Sequence, residues 1–157
     1  MSHKSIRILI EDTLRSIDDS VMFAYARASD FNAIGKKEAK RVQLDPLKES
    51  LEYTDGAMNL TKTFQVGMVF YKLEPSTAGA EIETMLILDE MDLLSDKFIN
   101  KLNLFLIGQE VSVADVEIKS IRKEPVIKVT TDFATGYVVQ FDLVTPDDFD
   151  YCSIYDS

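Results

Sequence analysis

The sequence predicts an α+β fold in which an antiparallel or mixed sheet of about four to five strands carries two helices on one face. Apolar residues near the amino terminus recur at intervals of three and four, and those between residues 87 and 105 do the same, which is the pattern of one-faced helices. Between these two segments, residues 64 to 70 alternate apolar and other side chains, which is typical of a strand. Elements in this order favour a layer of helices packed on a sheet.

The bulk composition indicates one folded domain. The chain has 157 residues, 46% of them hydrophobic and 28% charged, which suffices for a single buried core. We expect residues 1–146 to form one domain, and residues 147–157, which are acidic and aromatic, to form a carboxy-terminal arm. The net charge of −10 disfavours sequence-specific binding to nucleic acids, because a free surface repels phosphates on average.

The sequence carries no sign of secretion or membrane insertion. Glu11 and Asp12 interrupt any apolar signal-peptide core at the amino terminus. No apolar run approaches the roughly 20 residues that span a bilayer. The lone cysteine, Cys152, cannot form an internal disulfide, so we expect a protein made in the cytoplasm.

The amino-terminal third is predicted to hold one helix and two short strands. The helix runs from Lys4 to about Asp19, with an apolar stripe of Ile6, Leu9, Ile10, Leu14, Ile17 and Val21. The run VMFAYA favours a short strand, and residues 27–41 are predicted to form a long loop because they contain turn-favouring Asp, Asn and Gly. The run RVQLDPL is predicted to be an edge strand, since Pro46 cannot donate to a sheet ladder.

The strongest strand and the longest helix lie in the middle of the chain. After a turn signal at Asp55-Gly56, four apolar residues alternate on one strand face: Phe64, Val66, Met68 and Phe70. The second helix is predicted to begin after a cap at Ser76 or Thr77 and to end near Gly108. Its core-facing stripe consists of Ile87, Met91, Leu94, Phe98, Leu102 and Phe105.

The carboxy-terminal third predicts an antiparallel meander. Three β-like runs, DVEIKSI, PVIKVTT and GYVVQFDLV, are separated by RKE and DFAT. The last run alternates most clearly, with Tyr137, Val139, Phe141 and Leu143 on one face. We therefore expect three strands in this part of the chain.

Residue types that usually carry catalysis are scarce. His3 is the only histidine and lies in a terminus expected to fray, and Cys152 has no histidine to activate it. The Gly-Lys pair of the long loop is not a phosphate-binding loop, because Asp30 and Lys37 stand where a glycine and a hydroxyl residue are needed. The acidic tail lacks the glycine and the distal glutamate of a calcium loop. We predict no cofactor, no bound metal and no enzymatic activity.

One acidic cluster leaves an alternative open. Asp89, Asp92 and Asp96 are spaced so that three carboxylates stack along one face of the second helix, as a divalent-cation or acid/base site requires. A metal-dependent hydrolase is therefore a minor alternative. The favoured interpretation is an acidic flank that faces solvent or a partner, with basic groups of a neighbouring subunit relieving the repulsion.

Three segments are predicted to contact neighbouring subunits. They are the basic part of the long loop, the acidic flank of the second helix and the carboxy-terminal arm, with Lys36, Lys37, Lys40, Arg41, Asp89, Asp92, Asp96, Phe149, Tyr151 and Tyr155 as the candidate contact residues. Opposite charges on different segments favour a head-to-tail contact that closes as a ring. The outer face of the sheet, with Gln65 and Tyr71, is a further place to expect a neighbouring copy.

Four stretches of the sequence resemble a known family. They are FAYARASDFNAIG, QLDPL, the unit formed by TFQVGMVFYKL and ILDEMDLLSDKFINKLN, and DFATGYVVQFDLVTPDDFDYC. The pattern of aromatic and apolar positions in them resembles the small tail-completion, or tail-terminator-like, neck proteins of tailed bacteriophages, and looks closest to versions from phages and prophages of Bacteroidetes-type hosts. These stretches carry no catalytic signature.

The resemblance implies a structural role in a virion. It implies a subunit that forms a homo-oligomeric ring, usually sixfold or twelvefold, at the head–tail junction, next to portal, neck or tail proteins. The genome passes through such a ring, and a negative channel wall lets DNA slide without binding. The family supplies no catalytic residues to transfer to this chain.

A second hypothesis comes from a different functional class. The acidic composition also suits a small phage or host inhibitor that acts as a monomer or dimer and presents carboxylates in place of DNA phosphates. The mass of the protein in solution distinguishes the inhibitor hypothesis from the ring hypothesis, because only a ring requires a large oligomer.

Overall fold

A computed structural model of the chain describes residues 3–25, 39–54, 59–74, 81–108, 116–129 and 134–147. These residues form two helices and six strands: α1 His3–Ile17, β1 Met22–Tyr25, β2 Arg41–Leu44, β3 Lys48–Thr54, β4 Asn59–Leu73, α2 Glu81–Gly108, β5 Glu117–Val129 and β6 Ala134–Asp147. The predicted α+β class is confirmed, with six strands in place of four to five. Of the predicted arm, residues 148–157 lie outside the described residues.

The six strands form one mixed sheet. Its order is β1-β2-β4-β6-β5, and β3 pairs with β4 alongside β2. The strands β1 and β2 are parallel, whereas the other pairs are antiparallel. The two longest strands, β4 and β6, lie side by side at the centre, from Leu60 opposite Asp147 to Leu73 opposite Ala134.

The alternation in β4 and β6 produces the core face of the sheet. All four residues predicted to face inward from β4, Phe64, Val66, Met68 and Phe70, are buried, which confirms that prediction. Val139, Phe141 and Leu143 of β6 are buried beside them. Side chains on alternate residues of a strand share a face, so one face of this sheet is continuous and apolar.

Both helices pack on this apolar face. Helix α1 buries Ile6, Ile10 and Leu14 against it, and α2 buries Met91, Leu94, Phe98 and Leu102. The ring of Phe98 lies between two sheet aromatics, with centroids 5.7 Å from Phe70 and 6.4 Å from Phe141. The predicted stripes of both helices are thereby confirmed in their central residues, although Val21 follows α1 and is not part of it.

Three of the sequence-based strand predictions were wrong. The strand β2 is not at an edge, because it pairs with β1 on one side and β4 on the other, and Pro46 lies beyond its end. The strand β3 was missed, since its charged residues hide the alternation. The runs DVEIKSI and PVIKVTT form the single strand β5, which continues through RKE.

The irregularity in β5 explains why it looked like two strands. Its register with β6 shifts between Lys119 and Arg122, and Ser120 takes a positive φ of 57°. A local bulge of this kind interrupts the alternation without ending the strand. Pro125 has no backbone N–H to donate. It is compatible with this position because β5 is an edge strand, so one side of its backbone has no partner strand.

Gly136 allows the closest approach between the two central strands. A Cβ atom at this position would lie 1.8 Å from the carbonyl oxygen of Phe70 and 2.7 Å from the Cα of Tyr71. We expect Gly136→Ala to lower the free energy of unfolding by about 3 kcal/mol or more, because backbone atoms must separate to admit the methyl group. Urea denaturation measures the change.

Gly67→Ala is the matched control on the neighbouring strand. Its Cβ would meet the carboxylate oxygen of Asp45 at 3.1 Å, and a side chain can move where backbone cannot. We expect Gly67→Ala to lower the free energy of unfolding by less than about 1 kcal/mol. Equal decreases in the free energy of unfolding for the two variants would contradict the conclusion that the close approach of the strands requires glycine at position 136.

Candidate functional site

The acidic flank predicted on α2 is partly neutralised from within the chain. Lys123 of β5 lies between Asp92 and Asp96, forming an ion pair with each, at 2.7 Å to Asp96. The sequence argument that a neighbouring subunit supplies this counter-charge is therefore wrong for these two carboxylates. Asp89 is exposed on the same helix and takes no part in this cluster.

Lys40, another predicted contact residue, belongs to a second internal cluster. Its Nζ lies 2.6 Å from Asp18 and 3.8 Å from Glu90 of α2, and Lys72 of β4 lies 2.7 Å from the same glutamate. The hydrogen bond from Lys40, followed by those from Ser20, holds the pKa of Asp18 at about 2. This cluster ties the end of α1 to β2, β4 and α2, which is a structural role.

The remaining predicted contact residues divide into two groups. The side chain of Arg41 is 1% exposed, so in this structure it has almost no surface to offer a neighbouring copy. Its side chain shares the outer face of the sheet with that of Tyr71, which is also buried. The others, Lys36, Lys37, Phe149, Tyr151 and Tyr155, lie outside the described residues.

His3 is held in place in the structure, in contrast to the frayed terminus predicted from the sequence. It is the first residue of α1, and its Nε2 is 2.9 Å from a carboxylate oxygen of Glu49. Its ring makes a T-shaped contact with the ring of Phe64, and the two ring centroids are 5.6 Å apart. The hydrogen bond from His3 lowers the pKa of Glu49. The contacts join α1 to β3 and do not form a nucleophile–base pair.

A buried carboxylate joins the far end of the sheet to α2. Glu74, which directly follows β4, accepts hydrogen bonds from the hydroxyl groups of Thr84 on α2 and Thr135 on β6, the latter at 2.7 Å. All three side chains are buried. A buried carboxylate requires such donors, so this group fixes the start of α2 against the strand ends.

The face of the sheet opposite the described helices carries a polar trough. It has a volume of about 210 Å³, and its polar lining consists of Asp45, Lys48, Gln65, Arg122, Gln140 and Asp142. Burial raises the pKa of Asp45, whose carboxylate is 3.4 Å from the amide nitrogen of Gln43. The sequence analysis pointed to Gln65 on this outer face but did not find the other members, because they come from separate strands. Tyr71, its second candidate there, is buried.

A second surface is the outer side of α2, which is apolar. Six large side chains on this helix are each at least 55% exposed: Ile82, Met85, Leu86, Leu93, Leu104 and Ile107. The signal was present in the sequence, since MLIL and LFLI carry more apolar residues than one core-facing stripe requires. We call these six residues the outer apolar stripe.

The described residues include no metal-binding cluster and no membrane-spanning helix. No group of three or more His, Cys, Asp or Glu side chains in this part of the chain is arranged to hold a metal ion. Neither described helix is long and apolar enough to cross a membrane.

The Asp18–Lys40 ion pair predicts an acid-dependent loss of stability. The pKa of Asp18 is lower in the folded chain, about 2, than its ordinary value of 3.8, so the stabilisation is complete above pH 3.8 and disappears as the pH falls through 2. We expect Asp18→Asn to lower the free energy of unfolding by about 1 kcal/mol at pH 7, since water screens the pair.

Urea denaturation of the wild type and of Asp18→Asn between pH 7 and pH 2 measures this dependence. The difference between the two proteins is expected to shrink below pH 3.8 and to vanish near pH 2. Asp19→Asn is the control, because Asp19 is exposed and its carboxylate forms no ion pair in the described structure. A difference that does not change with pH would contradict the prediction.

Comparison with known proteins assigns no family to the chain. No family model matches the sequence, and no curated protein matches it. The trough and the outer apolar stripe, together with the sheet edges, are therefore the features from which a function is inferred.

Proposed function

We propose that the chain is a non-enzymatic structural subunit that assembles into a homo-oligomeric ring at the portal, neck or tail junction of a tailed-phage virion. The observation that carries the proposal is the outer apolar stripe of α2. The family resemblance of the sequence supplies the location, and the stripe supplies the physical reason for assembly. In the virion, the ring contacts neighbouring portal, neck or tail proteins and surrounds the transiting DNA.

The outer apolar stripe extends over most of α2 in two groups. Helix α2 has 28 residues, which corresponds to about 42 Å. Four residues of the stripe lie between Ile82 and Leu93, and the other two are Leu104 and Ile107. The exposed polar residues Asp96, Lys97 and Asn100 lie between the two groups. The opposite side of the same helix is buried in the core. A helix that is apolar on two sides is expected to pack on two sides, and large exposed apolar patches mark interaction surfaces.

The edges of the sheet provide a second reason for assembly. The edge strand β5 exposes Ile121 and Ile127, and β3, on the other side of β4, exposes Leu51 and Tyr53. Unpaired strand edges with apolar side chains favour pairing with another chain unless they are covered. Different surfaces at the two sides of a subunit suit heterologous contacts, which close into rings.

The charge of the chain suits a wall past which DNA moves. The chain has 27 Asp and Glu residues against 17 Lys and Arg residues, which gives a net charge of −10. A negative lumen repels phosphates and releases no counterions, so DNA slides without being held. A lumen lined with lysine and arginine would contradict this part of the proposal.

The inhibitor hypothesis draws less support from the described surfaces. A DNA mimic needs free carboxylates, whereas Asp18, Glu90, Asp92 and Asp96 are engaged by lysines within the chain. The outer apolar stripe also has no role in imitating phosphates. The ring hypothesis uses this stripe.

Disruption of the stripe tests the proposal. We expect the purified wild type to form a ring visible by electron microscopy and native mass spectrometry. Leu104→Glu is expected to weaken subunit association by about tenfold or more, because a charge replaces an apolar side chain in the contact. Ser16→Glu adds the same charge at an exposed position of α1, outside α2, and is expected to leave the ring intact.

Two results would contradict the proposal. One is a wild type that is monomeric at every concentration, and the other is a Leu104→Glu variant that assembles as well as Ser16→Glu. Mass spectrometry of purified virions tests the location separately. Detection of the chain in stoichiometric amounts supports the proposal that it is a virion component. Its absence from virions would contradict that proposal.

A further inference from the structure

The charge of α2 changes sign along its length. Residues 81–96 include six acidic residues and no basic one, whereas residues 97–108 include Lys97 and Lys101 and no acidic one. Neither lysine takes part in an ion pair in the described structure. The second part of the helix also carries Leu104 and Ile107 of the outer apolar stripe, so it presents bases beside exposed apolar side chains.

Five exposed residues form one line on the outer side of α2: Leu93, Lys97, Asn100, Leu104 and Ile107. They are separated by intervals of four, three, four and three, which places side chains on one face of a helix. At 1.5 Å per residue, the line is about 21 Å long, and Asn100 lies at its centre. We call these five residues the docking line.

Residues 148–157, which lie outside the described residues, have a composition that complements the docking line. They include three acidic residues and no basic one, together with four side chains of the type that anchors interfaces: Phe149, Tyr151, Ile154 and Tyr155. From Phe149 to Tyr155 an extended chain covers about 20 Å, which matches the length of the docking line. The acidic first part of α2 repels such a segment, whereas the lysines of the second part attract it.

The strand β6 leads residues 148–157 to the end of the sheet at which α2 ends. Close to the starts of α2 and β6, Thr84 and Thr135 donate hydrogen bonds to the same carboxylate, that of Glu74. Further along, Phe98 of α2 packs against Phe141 of β6. The helix and the strand therefore run in the same direction, so the segment begins at the end of the subunit where the docking line ends.

The geometry favours the docking line of a neighbouring copy over that of the same chain. The strand β6 lies beneath α2, and a helix is about 10 Å across, so the outer side of α2 is more than about 10 Å above β6. Phe149 is two residues beyond the end of β6, which allows at most about 7 Å of backbone. This first anchor therefore falls short of its own docking line, whereas a neighbouring copy can bring its α2 to the segment.

We propose that residues 148–157 of one copy dock along the docking line of the next copy. The aromatic and aliphatic anchors cover Leu93, Leu104 and Ile107, and the carboxylates approach Lys97 and Lys101. The inference rests on the proposed assembly of copies and deepens it, because it names the part of the neighbour that covers the second part of the outer side of α2. Each copy gives a segment and receives one, which is a heterologous contact.

Cys152 provides a direct test, because it is the only cysteine of the chain and lies at the centre of residues 149–155. Asn100 lies at the centre of the docking line, so docking in either direction brings the two positions together. We expect full-length Asn100→Cys, treated in dilute solution with a short bis-maleimide reagent, to form covalent dimers and larger oligomers. The expected yield is about tenfold or more above that of the wild type, since docking raises the effective concentration of the two thiols.

Glu83→Cys is the matched control for position. It places a thiol at an exposed site of the acidic part of the same helix, about 26 Å from residue 100, and is expected to give the wild-type yield. Peptide mass spectrometry identifies the linked positions and shows whether they belong to one chain or to two. Circular dichroism and native mass spectrometry confirm that the cysteine variants fold and assemble like the wild type.

Reversal of the two lysines tests the charge contact. Addition of Lys97→Glu and Lys101→Glu to Asn100→Cys is expected to lower the yield of cross-linked oligomers about threefold or more, because like charges then face each other. Addition of Lys4→Glu and Lys48→Glu is the control, since it changes the net charge equally at exposed positions on α1 and β3. The control pair is expected to change the yield less than about twofold.

Cross-links between Cys152 of one chain and residue 100 of another support the proposal. It is overturned by cross-links confined to single chains, by equal yields from Asn100→Cys and Glu83→Cys, or by equal effects of the two lysine pairs. An assembled protein that gives no such cross-link overturns this inference alone and leaves the ring proposal in place. A wild type that is monomeric at every concentration overturns both, so the two failures are distinguishable.

Discussion

The pairing of β4 with β6 is the constraint on which the rest of the structure depends. These strands are in register from Leu60 opposite Asp147 to Leu73 opposite Ala134, and all other elements attach to this ladder directly or through one neighbour. Because side chains alternate, one register fixes both faces at once. On one face, this register forms the apolar surface on which the helices pack. On the reverse face, it places Gln65 beside Asp142. Gly136 permits this register, since any Cβ there would collide with the Phe70 backbone.

Elements with a strong and regular period were predictable from the sequence. The burial of alternate residues from Phe64 to Phe70, and of the central core-facing residues of α2 from Met91 to Leu102, follows from spacing alone, and the structure confirms it. The sequence was misleading where its composition resembles a turn. The run RKE suggests a break, yet β5 continues through it, and the register with β6 shifts at two places, one before and one after this run. The trough was unpredictable as a unit, because Lys48, Arg122 and Asp142 are distant in sequence and meet only through strand register.

The contact residues show how charge arguments from sequence fail. A row of carboxylates on a helix implies a counter-charge, but the sequence does not say which chain supplies it. Here Lys123 comes from β5 of the same chain, and Lys40 turns inward to Asp18. Asp45, Lys48, Arg122 and Asp142 of the trough take part in no ion pair in the described structure, and they include charges of both signs.

The outer apolar stripe and the trough lie on opposite sides of the sheet. The stripe is on the outer side of α2, in the helix layer, whereas Gln65 and Gln140 lie on the reverse face of the sheet. The two surfaces also differ in chemistry, because the first is apolar and the second carries carboxylates, amides and bases. A contact through α2, as proposed for the ring, therefore leaves the trough accessible.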